Sequence, residues 1–180
     1  MRRRTLGVVL LTVTGVAAAP AVAAVTTTTK PRIEMLGGAS FVTNRYIQDK
    51  MRFDKDVYAV KSGTTIQIAS KTPEEPHTVS VVSKSDLPKS VRDFGKCFGG
   101  GICKQLEKDH GAPENREGPP KKPLVNKGAA GLDARGDSLA IAPGSGPGSK
   151  GSVKLSASKG KTLYLLCVIH PWMQAKITVK

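Results

Sequence analysis

The segment Tyr164-Leu-Leu-Cys167-Val-Ile-His170-Pro-Trp-Met173 places a thiol, an imidazole and a thioether at intervals of three residues near the C-terminus. It begins as an alternating, strand-like run and then reaches a proline, which would break the hydrogen-bond ladder of a helix. A turning loop between two strands is therefore predicted. Cys167 would end the first strand, His170 would lie at the apex of the loop, and Met173 would precede the second strand.

These donors share a preference among metals. Imidazole binds several transition metals, whereas thiolate and thioether ligands favour copper; two histidines, a cysteine and a weak axial methionine form the ligand set of blue-copper electron-transfer sites. A second histidine lies upstream in Pro-His77-Thr-Val, at the head of another alternating stretch. The predicted site for one copper ion therefore has four ligands: His77, Cys167, His170 and Met173.

The three cysteines of the chain bear directly on this site. Cys97 and Cys103 are separated by Phe-Gly-Gly-Gly-Ile, whose glycines can close a tight loop, so a disulfide between them is predicted. Cys167 is then the odd thiol, which in an exported chain indicates an intermolecular bridge or a reactive group. Its neighbours His170 and Met173 favour metal ligation instead. In the alternative, one of the pair bridges to Cys167 and the metal site is lost.

The N-terminal residues 1–24 have the pattern of a secretory signal peptide: arginines at 2–4, an apolar run at 6–19 and small residues at 21–24. Its cleavage would leave residues 25–180 as one domain that is secreted, periplasmic or at the cell surface, where disulfides form. The alternative is an uncleaved membrane anchor. It is disfavoured because the apolar run is shorter than the roughly 20 residues of a spanning helix.

Alternating apolar and polar residues predict an all-β sandwich of short strands. Residues 53–60 and 64–69 are predicted to pair around a turn at 61–63, and a half-buried strand carries His77 on its inward face. Further inward faces are predicted for three sets: Val153, Leu155 and Ala157; Leu163, Leu165 and Cys167; and Ala175, Ile177 and Val179. The intervening residues 85–151, rich in Lys, Gly and Pro, are predicted to be a loop-rich insertion with a helix at 102–110, an extra strand at 138–142 and a surface-exposed His110.

The formal net charge of +14 favours anionic partners. Charge alone would allow nucleic acid, but it is not the predicted partner, because aromatic residues make up only 4% of the chain and form no stacking platform among the lysines. The alternative is that the charge serves solubility alone. An acidic redox protein, or an anionic membrane or wall surface, is the predicted partner of a monomeric protein. The protein partner is predicted to dock near His170, Pro171 and Trp172.

The segments 53–82 and 152–180 together resemble the cupredoxin (blue copper) family, most closely its amicyanin-like and plastocyanin-like members. The matching pieces are Val60-Lys-Ser-Gly-Thr-Thr-Ile, Pro-His77-Thr-Val, and Cys167-Val-Ile-His170-Pro-Trp-Met173-Gln-Ala-Lys-Ile-Thr-Val. The resemblance implies a Greek-key β-sandwich and a single copper ion that cycles between Cu(I) and Cu(II). Family members often carry an Asn before the upstream histidine that helps to join the ligand loops, whereas this chain has Ser70 and Lys71 in that region.

One-electron transfer is the function that this ligand set predicts, and no enzymatic activity is expected. A copper enzyme with several centres needs many histidines, and the chain has His77, His110 and His170. The alternative is a copper-binding carrier or scavenger that uses the same ligands without redox cycling. A metal-free binding module would be left if Cys167 were bridged.

Overall fold

The computed structural model describes residues 30–112 and 120–180, so the predicted signal peptide lies outside the described residues. The strands are β1 (Arg32–Leu36), β2 (Ala39–Val42), β3 (Tyr46–Asp49), β4 (Arg52–Phe53), β5 (Val57–Val60), β6 (Thr65–Ser70), β7 (His77–Val82), β8 (Leu124–Val125), β9 (Ser138–Ile141), β10 (Lys150–Lys154), β11 (Thr162–Leu166) and β12 (Gln174–Val179). The helices are α1 (Val91–Phe98) and α2 (Ile102–Asp109), preceded by a 3₁₀ turn (Lys84–Asp86).

The strands form two main sheets that pack face to face. One has the order β10-β6-β1-β4 and the other the order β5-β12-β11-β7-β9-β8, while β2 and β3 form a separate hairpin. A single cluster of buried apolar side chains takes residues from both sheets, including Ile33, Ile66, Val79, Leu165 and Ile177. The predicted class, an all-β sandwich, is confirmed.

The inward faces read from the sequence are confirmed, because the three C-terminal sets of residues and Val79 and Val81 all lie in this core. The predicted pairing of residues 53–60 with 64–69 is wrong. β5 pairs with β12 in one sheet, and β6 pairs with β1 and β10 in the other. The turn between them is held by bonds from Ser62 N–H to the Lys180 carbonyl and from Gly63 N–H to the Leu155 carbonyl, so it carries the chain from one sheet to the other.

The segment between β7 and β10 is more ordered than a loop-rich insertion. The predicted helix at 102–110 and the predicted strand at 138–142 are confirmed as α2 and β9, and α1 is an additional helix. The structure joins Cys97 of α1 to Cys103 of α2, as predicted. Cys167 is a free, buried thiol.

The two helices cover the outer face of the six-stranded sheet, where a second apolar cluster forms. It contains residues of the helices and outward-facing residues of β7 and the β11 region: Val82, Cys97, Ile102, Cys103, Leu106, Leu166 and Val168. Every residue of β7 is therefore buried, and the expectation of a half-buried strand is wrong. Period-two alternation showed which residues face the core but could not show that a helical pair covers the other side.

His110 is also buried, with 3% of its surface exposed, so its predicted place on the surface is wrong. It follows α2. Its Nδ1 lies 2.6 Å from the Lys122 carbonyl oxygen, and its Nε2 lies 2.8 Å from the Ser138 hydroxyl.

Among the described residues, none of the helices combines the length and apolar character required to cross a membrane.

Candidate metal centre

The loop that carries three of the predicted ligands is closed by its own backbone. Cys167 directly follows β11 and Met173 directly precedes β12, as predicted. The Met173 N–H donates to the His170 carbonyl at 2.8 Å, and the Cys167 N–H donates to the Met173 carbonyl at 3.0 Å. The resulting tight turn brings residues 167 and 170 to the same end of the sandwich as the first residue of β7, His77.

His77, Cys167 and His170 converge at that end. Their candidate ligand atoms lie within 4.8 Å of one another, and all three residues are buried. The Sγ of Cys167 is 3.9 Å from Nδ1 of His77 and 3.8 Å from Nδ1 of His170. The structure therefore brings together residues that lie 90 positions apart in the sequence.

These separations fit a single transition-metal ion. An ion about 2.3 Å from sulfur and about 2.0 Å from nitrogen, as in zinc sites, would hold those atoms about 3.7 Å apart at an angle of about 120°. The distances from Sγ to the two nitrogens are close to this value. One thiolate and two imidazoles in a trigonal arrangement are the donor set of blue-copper sites. The residues present thus fit copper in both chemistry and spacing.

The orientation of the His77 ring is fixed from behind by Thr72. The Oγ1 atom of Thr72 lies 2.6 Å from Nε2 of His77 and donates its own proton to the Glu75 carbonyl at 3.2 Å. With its hydrogen given to the Glu75 carbonyl, Thr72 accepts its bond to His77 from an Nε2–H. The Ser70 hydroxyl, 2.9 Å away, holds Thr72 in turn. This tautomer leaves the lone pair of Nδ1 directed at Cys167, which is the form that binds a metal.

Thr78 joins the two ligand segments. Its backbone N–H donates to Sγ of Cys167 at 3.3 Å, and its Oγ1 accepts the N–H of Val168 at 2.9 Å. Hydrogen bonds of this kind fix the sulfur and favour its thiolate form. Ser70, Thr72 and Thr78 therefore supply the ring orientation and loop connection for which the sequence offers no Asn.

No family model matches the chain, and no curated protein matches its sequence. Among solved structures, it is similar to a mutant of amicyanin in the Cu(I) form, at 12% identity and a TM-score of 0.40, covering 84% of this chain and 82% of that chain. It is also similar to dithionite-reduced auracyanin from Roseiflexus castenholzii, at 16% identity, a TM-score of 0.45, and 85% and 98% coverage. A purple cupredoxin from Nitrosopumilus maritimus matches at 11% identity, a TM-score of 0.43, and 84% and 100% coverage.

These similarities agree with the family resemblance predicted from the sequence and concern the fold alone. The case for a metal depends on the arrangement of the chain's own donors.

The protonation states of the donors in this candidate site follow from burial. Burial, and to a smaller extent the nearby His170, lower the pKa of His77 to about 3. Burial also lowers the pKa of His170, against the opposing effect of Asp49. Both imidazoles are therefore neutral near pH 7, and only neutral imidazole ligates. Burial raises the pKa of the Cys167 thiol, although hydrogen bonds from Thr78 oppose this, and a bound cation would remove its proton.

Met173, the predicted axial ligand, is buried in the main core beside the loop that carries the other donors. Its backbone bonds to both His170 and Cys167 fix the start of its side chain. Coordination by its thioether remains a prediction.

The predicted docking residues differ in accessibility. Trp172 is 38% exposed, whereas His170 is 6% exposed and Pro171 is buried. The Trp172 ring lies 5.3 Å from the His170 ring and 5.6 Å from that of Phe94 in α1. The outer ring nitrogen of His170, Nε2, lies 3.9 Å from the carboxylate of Glu75. Trp172 is therefore the most exposed of the three predicted docking residues.

Proposed function

We propose that this protein is a type 1 copper protein that carries one electron, with a single ion cycling between Cu(I) and Cu(II). The observation that carries the proposal is the convergence of a free thiol and two neutral imidazoles, each presenting Nδ1 to the sulfur at 3.8 to 3.9 Å. A thiolate with two imidazoles selects copper over harder metals. No catalytic step is proposed.

Each donor has a separate role in the proposed site. Sγ of Cys167 and the Nδ1 atoms of His77 and His170 would form the trigonal plane, and the thioether of Met173 would be the axial ligand. A bound copper ion would supply the one-electron couple. The chain holds its donors in place through Thr72 behind His77 and Thr78 beside Cys167. Donors fixed in this way change position little between the two oxidation states.

Burial favours electron transfer over copper delivery. All three donors are buried, and the sulfur accepts a hydrogen bond from the backbone of Thr78 in β7. An ion held there exchanges slowly, whereas a carrier or scavenger needs an accessible site. Electrons, by contrast, can pass through the partly exposed Trp172 edge and the His170 ring without release of the ion.

The proposed partner is an acidic redox protein that docks around His170, Pro171 and Trp172. The strongly positive net charge supports electrostatic attraction to such a partner, and also to an anionic membrane or wall surface. We place the mature monomer outside the cytoplasm, after removal of residues 1–24. The Cys97–Cys103 disulfide supports an oxidising location.

The decisive experiment is to load the purified protein with Cu(II) and record its visible spectrum. An intense thiolate-to-copper band is expected, together with one equivalent of bound copper. Cys167→Ser should lose the band, while Lys176→Ser, an exposed change on neighbouring β12, should keep it. Tightly bound copper without this band would contradict a type 1 site, and a reversible one-electron wave would distinguish a redox carrier from a delivery protein.

A further inference from the structure

A chain of buried hydrogen bonds leads from the ligand loops into the covering segment between β7 and β10. Ser80 donates to Oγ1 of Thr78 at 2.9 Å, and its hydroxyl also lies 2.7 Å from that of Ser138. The Ser138 hydroxyl lies 2.8 Å from Nε2 of His110, whose Nδ1 is 2.6 Å from the Lys122 carbonyl. All four side chains from Thr78 to His110 are buried. None of Ser80, Ser138 and His110 has a role in the ligand set.

We propose that His110 is a remote positioning residue of the metal centre, acting through Ser138 and Ser80 on the hydroxyl of Thr78. This inference rests on the proposed function. Thr78 is where the chain meets the site, because its hydroxyl holds the Val168 N–H and its backbone N–H holds the Cys167 sulfur. A change at His110 therefore reaches the sulfur without any contact between His110 and a ligand.

The number of hydroxyl and ring hydrogens shows that the protonation of His110 determines which of these hydrogen bonds can form. Ser80 gives its only hydroxyl hydrogen to Thr78, so the bond between Ser80 and Ser138 must use the hydrogen of Ser138. The bond between Ser138 and His110 then needs a hydrogen on Nε2 of His110. The Lys122 carbonyl can only accept a hydrogen bond, so its bond to His110 needs a second ring hydrogen, on Nδ1.

The complete chain thus requires His110 to carry both ring hydrogens, and a neutral His110 leaves it one hydrogen short. Burial lowers the pKa of His110, so the ring is neutral near pH 7 and the hydrogen-bond chain is one hydrogen short there, although the bond to the Lys122 carbonyl and the charge of Asp109 oppose this lowering. Asp109, at the end of α2, favours the protonated ring and is itself paired with Lys127 at 3.0 Å. Lys122 presents its carbonyl to the ring. Because hydrogen bonds in a buried chain polarise one another, the state of His110 changes the bonds that reach Thr78.

The effect on the site has a definite direction. The Thr78 side chain also hydrogen-bonds the sulfur of Cys167. Hydrogen bonds to a ligating sulfur withdraw electron density and raise the reduction potential. Losing the support of Ser80 and His110 should therefore lower the potential of the copper-loaded protein and loosen the Val168 N–H.

The test uses His110→Gln, Ser80→Ala and the double variant in the full-length protein. Gln keeps a polar side chain but cannot contact both the Ser138 hydroxyl and the Lys122 carbonyl as the two ring nitrogens of His110 do. The matched control is Ser149→Ala. It removes a buried hydroxyl that donates to the Gly146 carbonyl and takes no part in the hydrogen-bond chain from Thr78 to His110. Ser138→Ala removes the hydroxyl that connects Ser80 to His110. It is used in place of His110→Gln if the His110 variant does not fold.

Two measurements follow. In the metal-free protein, amide exchange at Val168 should be about five- to tenfold faster in each single variant, as expected for the loss of one hydrogen bond. The double variant should exchange no faster than Ser80→Ala, because both changes interrupt one chain. In the copper-loaded protein, the same variants should have lower potentials, and Ser149→Ala should match the wild type.

Two outcomes would overturn the proposal. One is additive effects of His110→Gln and Ser80→Ala; the other is a His110→Gln variant that melts at a lower temperature but keeps wild-type Val168 exchange and potential. The exchange measurement needs no metal. If the wild type fails to form a blue-copper site, the proposed function fails, and Val168 exchange still decides whether His110 positions the ligand loop.

Discussion

The backbone N–H of Thr78 donates to the Sγ of Cys167 at 3.3 Å across 89 positions of sequence. This bond joins the second residue of β7, next to His77, to the residue that follows β11. The two segments that supply ligands are thereby held together by a residue that supplies none. The register between β7 and β11, in which Ser80 pairs with Leu166, places Thr78 beside Cys167 without any requirement for a metal.

The Thr78 hydroxyl gives the first prediction. Thr78→Val keeps the side-chain shape but leaves the buried Val168 N–H without its acceptor, so the metal-free protein should lose about 1–3 kcal/mol of unfolding free energy. Its copper-loaded form should have a lower reduction potential. Urea unfolding and voltammetry measure the two effects. Thr178→Val, at a half-buried threonine on β12, is the control. An equal loss in both variants would show that Thr78 has no special role.

Thr72 gives the second prediction, which concerns copper affinity. Thr72→Val removes the group that accepts the Nε2–H of His77, so the ring is free to turn or change tautomer. Copper affinity should fall about 10- to 100-fold, the usual cost of losing a partner behind a ligating histidine. Competition with a chromogenic chelator measures it. Thr162→Val, an exposed change on β11, should bind as the wild type does, and an unchanged affinity in Thr72→Val would contradict the assigned role.

The sequence was sufficient to predict that His77, Cys167 and His170 lie together and which strand residues face inward. Ligand type depends on local chemistry, and the side a residue faces depends on a period of two, so both can be read from neighbouring residues. The partners of β5 and β6 could not be read, because alternation carries no information about which strand lies alongside. Burial of His110 and Ser80 depends on how α1 and α2 fold over β7, which is a tertiary property.

Proton release on copper binding is the third prediction. Near pH 7 both imidazoles are neutral, since burial lowers their pKa values, and the Cys167 thiol is protonated, since burial raises its pKa. Binding as thiolate should therefore release about one proton, and apparent affinity should strengthen about tenfold for each unit of rising pH around neutrality. Calorimetry in buffers of different ionisation enthalpy counts the proton. Cys167→Ser should release none, and equal release from both proteins would exclude the thiol as its source.

Acid sensitivity of the metal-free protein is the fourth prediction. Burial lowers the pKa of His77 to about 3 and also lowers those of His110 and His170, so below pH 6.5 the unfolded chain binds protons that the folded chain does not. The stability linked to these histidines is present above about pH 6.5 and is lost as the pH falls from there toward their folded-state pKa values. One such histidine accounts for at most about 1.4 kcal/mol per pH unit in that range.

Urea unfolding at pH 7, 6 and 5 measures this loss. His77→Gln removes one titrating group from the buried site, so its unfolding free energy should fall less steeply with decreasing pH than that of the wild type, even if it is less stable at pH 7. The same comparison with Lys176→Ser, whose substitution removes no histidine, should give the wild-type slope. Identical slopes in the wild type and His77→Gln would mean that His77 is protonated equally in the folded and unfolded chains, and that its burial between Thr72 and Cys167 does not keep it neutral.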